Sequence, residues 1–233
     1  MPALERLSAQ ERRAEILAVS LGLFARHGQH GVTTRQIAEA AGVSEALLYR
    51  HFRSKDELYS ELQRACLSSM TRVAERMVAL EASTATLVMA IFYMANQILR
   101  ACELGARQSD LRRLMLNSLA GDGDFARGFL EANVGRYMPK LVECLGAAHR
   151  AGDLMTPVEP AALRLWFCHH LMATIGNIHL PQPPAVDHGV DTDTLIDEAV
   201  RFVLRGLGLR PEAIARHFQP RTLALLIEGL EGT

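Results

Sequence analysis

Residues 33 to 55 read TTRQIAEAAGVSEALLYRHFRSK, two short helical stretches joined by a tight turn and followed by a basic exit. Thr33 and Gln36 form the S/T-x-x-E/Q capping pattern, in which a hydroxyl and a side-chain amide satisfy orphan backbone donors and so start a helix. Ile37, Ala38 and Ala41 then put an apolar strip on one side of it. Gly42 ends it, because a residue tolerant of positive φ closes a helix at little cost. Ser44 caps a second helix, in which Leu48 and Phe52, four apart, define the inward face; Val43 before it is a candidate buried hinge. At about 100° per residue, Ala46 and Arg50 point furthest from that face, with Leu47 and Tyr49 on the flanks. A small residue lets a helix approach a surface closely, and an arginine fork can take both acceptors of a guanine edge or hold a phosphate. Such a face suits the major groove of DNA.

Upstream, Ser8 to Glu11 is another capping box, opening a helix with Ile16, Leu17, Ser20, Leu23 and Phe24 at helical spacing, closed by Arg26-His27-Gly28. Its stripe can pack against Ile37, Val43, Leu48 and Phe52, giving a three-helix unit over 8–54 too small to stand alone. Downstream, Ser54 to Glu57 is a third capping box; it begins a helix expected over 55–80 through Leu58, Leu62, Ala65, Val73 and Met77. That helix connects the N-terminal unit to a second domain over 81–233, and its free N–H groups beside Lys55 make a ready phosphate site.

The second domain reads as helices throughout, which makes the chain all-α. Leu87 to Arg100 is apolar nearly all round and so buried on more than one side. A short helix over 108–119, a Gly-Asp-Gly-Asp loop at 121–124 and one long helix to about Arg150 are expected next. Pro157 and Pro160 introduce a helix over 161–178, and the proline- and acid-rich stretch 181–193 is irregular. Ile196, Ala199, Val200, Val203 and Leu207 form a stripe, with Asp197 and Arg201 paired on the solvent side. Pro211 opens a short helix to His217, and 222–230 is read as helical.

With 233 residues, 49% of them hydrophobic and 22% charged, the chain can bury a sizeable core, and its net charge of −1 excludes a polycation. The charge is uneven. Between Gly22 and Lys55 five basic residues face two acids, a local +3, whereas from Cys66 onward 16 basic residues face 18 acidic ones. A polyanion should meet the N-terminal part. Cys66, Cys102, Cys144 and Cys168 form no C-x-x-C pair and read as buried reduced thiols. A charge-dense Leu4 to Ala14 and the short apolar run 87–95 argue against a signal peptide and a membrane span, and so for a cytoplasmic protein. No nucleophile–base pair or phosphate loop suggests an enzyme, and nothing calls for a cofactor. His169 and His170 point about 100° apart on a helix, so they read as interfacial residues and no metal site is assigned.

The register T-T-x-x-I-A-x-x-A-G-V-S, then L-Y-x-H-F and S-K-x-E-L, resembles without a gap the N-terminal helix-turn-helix domain of the TetR family of transcriptional regulators, over roughly Arg12 to Leu62. The resemblance implies DNA contact by the following residues: Thr34 on a phosphate, Arg35 within reach of a base, Glu45, Ala46, Leu47 and Arg50 at base-facing positions, and Tyr49, His51 and Lys55 on phosphates. Two residues depart from it. Glu45 is acidic where lysine or a neutral polar residue is common, and either accepts from a cytosine amino group or complements the helix N-terminus. Leu47 replaces a small or hydroxylated residue and offers only apolar contact with a thymine methyl.

The resemblance also implies a homodimer through helices near 161–178 and 194–207, with recognition helices about 34–36 Å apart on a palindromic operator. It further implies a repressor released by a small, largely apolar ligand, with the helix over 55–80 as lever. The chemistry of a pocket, apolar walls with a few polar groups, is met by Met89, Phe92, Tyr93, Asn96, Met115, Asn133, Tyr137, Trp166 and His170. Internally satisfied core packing accounts for the same residues. The alternative function is an architectural or protein-partnered DNA binder without a small-molecule effector.

Overall fold

The computed structural model describes residues 8–67, 72–101, 103 and 105–232. The helices, in chain order, are α1 (Ala9–His27), α2 (Thr34–Ala40), α3 (Glu45–His51), α4 (Lys55–Leu67), α5 (Arg72–Ala79), α6 (Thr84–Leu99) and α7 (Ala106–Ala120). They continue with α8 (Asp124–Asn133), a 3₁₀ turn (Gly135–Tyr137), α9 (Met138–Arg150), α10 (Ala161–Ile178), α11 (Thr192–Gly206), α12 (Pro211–His217) and α13 (Pro220–Gly232). No strand occurs among the described residues, so the chain is all-α, with one isolated bridge between Leu154 and Leu209. The helix expected over 55–80 is present as α4 and α5; residues 68–71 lie outside the described residues.

The chain divides into two units, one of residues up to 69 with 105–130, the other of 70–104 with 131–233. In the first, the capping signals act as read. Ser8 with Glu11 and Thr33 with Gln36 close reciprocal boxes, and Ser44 accepts from Leu47 N–H at 3.2 Å. At the third, Ser54 accepts from Glu57 N–H (3.1 Å), but the Glu57 carboxylate returns to the N–H of Arg53 (2.6 Å) rather than to that of Ser54. The core gathers Ile16, Leu21, Phe24, Val32, Ile37, Leu48, Phe52, Leu58 and Leu62. Ser20, buried in the α1 stripe, donates to Ile16 O at 2.6 Å, so its hydroxyl is satisfied within its own helix.

This unit takes in more than the expected 8–54, and α7 does not belong with 81–233. It runs along α1, with Leu114 buried in the N-terminal core and Asn117 Nδ2 donating to Ala25 O at 3.0 Å; Phe125, at the start of α8, is buried in the same core. The reason is area: the outward stripe of α1 is wider than α2, α3 and α4 can cover, and α7 supplies the missing apolar face.

In the second unit α6 is the axis, with Leu87, Val88, Ile91 and Ala95 at 0–1% exposure and α5, α9, α10, α11, α12 and α13 packed around it. The single long helix expected up to Arg150 is instead α8, a 3₁₀ turn and α9. Pro139 stands in the first turn of α9, where its missing N–H does no harm; further inside a helix it would break the ladder. Asp191 caps α11 by accepting from Thr194 N–H at 2.7 Å, which starts that helix at Thr192 rather than Thr194. Arg201 and Asp197 are half-buried rather than on the solvent side, and the Arg201 guanidinium lies 4.9 Å from the Phe218 ring centre. Asp153 joins two connections of the chain: its carbonyl accepts from Arg210 N–H (2.8 Å) and its carboxylate from the Thr84 hydroxyl (2.6 Å).

Candidate nucleic-acid interface

The stretch 33–55 forms two helices joined by a turn at Gly42, whose φ of 63° lies in the region that a side chain makes costly. Leu48 and Phe52, 2% and 1% exposed, fix α3 from behind. The opposite face therefore carries Glu45, Ala46, Tyr49 and Arg50 into solvent, with Leu47 half-buried. Val43 is half-buried against the same core.

Three contacts set what these side chains can do. Glu45 Oε2 accepts from the Thr34 hydroxyl at 3.0 Å, and Tyr49 OH reaches Thr34 Oγ1 at 3.5 Å, so the first turns of α2 and α3 are tied through one hydroxyl. Arg35 pairs with Glu39 at 2.9 Å on an exposed face, a contact worth little and easily exchanged for an outside partner. Lys55 Nζ donates to Val32 O at 2.9 Å and is half-buried, holding the loop that enters α2.

Sequence reading missed Arg13. Its guanidinium lies 4.1 Å from the Phe52 ring centre, Nη1 donates to the carbonyl of His51 at the end of α3, and Nε donates to Glu61 Oε1 at 2.8 Å. One side chain of α1 thereby joins the last turn of α3 to α4. Glu57 and Glu61, four apart on α4, were the available hint that a cation faces that helix.

Of the nine residues read as a pocket, Met115 belongs to the first unit and the other eight to the second. Met115 packs in the core of the first unit. Asn96 is satisfied within α6, its Nδ2 donating to Phe92 O (2.8 Å) and its Oδ1 accepting from Arg100 Nε (3.1 Å). Phe92 packs edge-on to Phe218 at 5.9 Å, and Tyr93 is buried in the same core. Trp166 stacks with the exposed His170 at 5.5 Å. Tyr137 lies half-buried under the Arg136 guanidinium, and Asn133 ends α8. Of the nine, Met89 lines the cavity found between α6 and α13. Cys66, Cys144 and Cys168 are buried free thiols; burial pushes the Cys168 thiol up to about 12. Cys102 lies outside the described residues.

Residues 16–62 match the sequence profile described as bacterial regulatory proteins, tetR family. The nucleoid occlusion factor SlmA of Haemophilus ducreyi is 35% identical over 98 residues, 42% of this chain and 48% of that protein. The HTH-type transcriptional repressor KstR2 of Mycobacterium tuberculosis is 39% identical over 66 residues, 28% of this chain and 33% of that protein. The chain thus spans about half the length, or less, of these curated relatives. Among solved structures, the TetR family protein CprB of S. coelicolor superposes with a TM-score of 0.58 at 24% identity, covering 96% of this chain and 99% of that one. That likeness concerns the fold.

Proposed function

Because the chain belongs to the TetR family of bacterial regulatory proteins, we propose that it is a homodimeric, DNA-binding transcriptional repressor released from a palindromic operator by a small, largely apolar ligand. The observation that carries the reading is the placement of α3, held from behind by Leu48, Phe52 and Arg13 while Ala46 and Arg50 face solvent. In this reading Ala46 permits close approach to the groove and Arg50 reads a base or holds a phosphate, with Leu47 beside them. Thr34, Tyr49, His51 and Lys55 serve as phosphate anchors, and Arg35 exchanges Glu39 for DNA. Thr34 donates to a phosphate only when its hydroxyl turns away from Glu45, and the same turn frees Glu45 to accept from a base.

The dimer is supported by α10 and α11, which leave Leu163, Phe167 and Phe202 47%, 59% and 65% exposed. A ligand favouring a conformation with misplaced recognition helices would shift the equilibrium by its difference in affinity alone.

The test is binding to DNA upstream of the chain's own gene against unrelated DNA, across salt concentrations. Arg50→Ala is expected to lower the discrimination between the two by about 1–3 kcal/mol. Arg50→Ala with unchanged affinity for both DNAs across the salt range would remove Arg50 from the interface. An apolar ligand that raises thermal stability yet leaves operator affinity unchanged would favour an architectural or protein-partnered DNA binder.

A further inference from the structure

The second unit contains a cavity of about 370 Å³ lined by α6, α12, α13 and the end of α5, within the size range of small-molecule sites. Its wall is apolar, with Met89 of α6 facing Leu223, Leu226 and Leu230 of α13. Leu226 lines the cavity yet remains 53% exposed. Arg216 and His217, in the last turn of α12, line one end. Asp153 holds both in place: Oδ1 lies 3.3 Å from Arg216 Nη1, and Oδ2 lies 3.4 Å from His217 Nε2 while also accepting from Thr84.

That carboxylate already serves three groups, whereas the guanidinium keeps donors to spare. Asp153 engages one nitrogen of a group carrying five N–H donors, and the Arg216 side chain is 64% exposed. The cavity thus combines an apolar trough with a cationic fork tethered to Asp153. Water fills such a trough poorly, and a neutral apolar guest would leave the fork unused.

We infer that this cavity binds an amphipathic anion, an unbranched apolar chain whose carboxylate head pairs with Arg216 while its tail lies between α6 and α13. The binding stands on the cavity alone; its effect on DNA rests on the ligand-responsive reading above. The residues read from the sequence as a pocket contribute only Met89 to it.

The full-length protein is titrated calorimetrically with decanoate, decanol and acetate, below the micellar range. Decanoate is expected to bind once per chain, decanol at least about tenfold more weakly, and acetate not measurably. Arg216→Gln is expected to weaken decanoate about tenfold or more and to leave decanol unchanged, since a charge-assisted bond is lost while the trough remains. Arg216→Gln also disturbs the buried Asp153, so Leu226→Glu, at a half-exposed position, supplies the second variant: an anion in the apolar lining should abolish decanoate binding without loss of the fold. Equal affinity for decanoate and decanol, or decanoate binding unchanged in Leu226→Glu, would overturn the assignment. Decanoate bound with these sensitivities by a protein that recognises no operator would uphold the site and sink the regulator reading instead.

Discussion

Arg13, outside the proposed DNA-facing surface, fixes the end of the helix that carries it. Its guanidinium stacks on Phe52, pairs with Glu61 and donates to the His51 carbonyl, so the C-terminal end of α3 is held by a planar fork that lysine cannot reproduce. Arg13→Ala is expected to cost about 1–3 kcal/mol, because Glu61, only a quarter exposed, loses its partner along with the stacking. Arg13→Lys should restore most of the urea stability by keeping the charge, yet leave operator binding weakened, since the bond to the end of α3 is not remade. Urea unfolding and DNA binding measured on the same three proteins check this; full recovery of DNA binding by lysine would reduce Arg13 to an ordinary ion pair. The orientation of the candidate site residues was only partly legible. Ala46 and Arg50 followed from helical angles, whereas the engagement of Lys55 by Val32 O and of Glu45 by Thr34 depends on atoms that no spacing rule places.

At the scale of elements, caps explain where the helices begin. Ser8, Thr33, Ser44 and Ser54 each accept a backbone N–H three residues on, as their sequence patterns require. The Thr194 N–H and side chain hold the Asp191 carboxyl below its ordinary range. A carboxylate whose pKa is depressed in the folded state contributes stability above its unfolded pKa and loses it as pH falls through the folded one. Asp191→Asn, which caps as well without a charge, is expected to leave neutral-pH stability nearly unchanged and to flatten the acid end of the Tm-against-pH curve. A curve that keeps its full acid slope would show that the carboxylate contributes nothing. Helix ends were legible because caps are local chemistry. The break before α9 was missed although Pro139 stood in plain view, because the apolar periodicity on either side of it remains in phase.

At the scale of the whole molecule, α10 and α11 leave Leu163, Phe167 and Phe202 in solvent, apolar side chains that a partner copy would cover. Phe167→Glu combined with Phe202→Glu is expected to give a monomer in analytical ultracentrifugation and to weaken operator binding, since two half-sites would no longer be held together. A dimer that survives both changes would place the interface elsewhere. The all-α class and the succession of helices were legible from periodicity; the membership of α7 was not, because which amphipathic stripe covers which is settled in three dimensions. The same membership bears on how the protein is made. The Asn117 side chain and the Ala25 carbonyl that it binds are 92 residues apart, so α1 emerges from the ribosome well before its largest partner has been synthesised. The N-terminal unit cannot complete its core until α7 has emerged from the ribosome, by which time α5 and α6 are already outside. Folding during synthesis is therefore interleaved rather than domain by domain, and the nascent α1 must keep an apolar flank uncovered in the meantime.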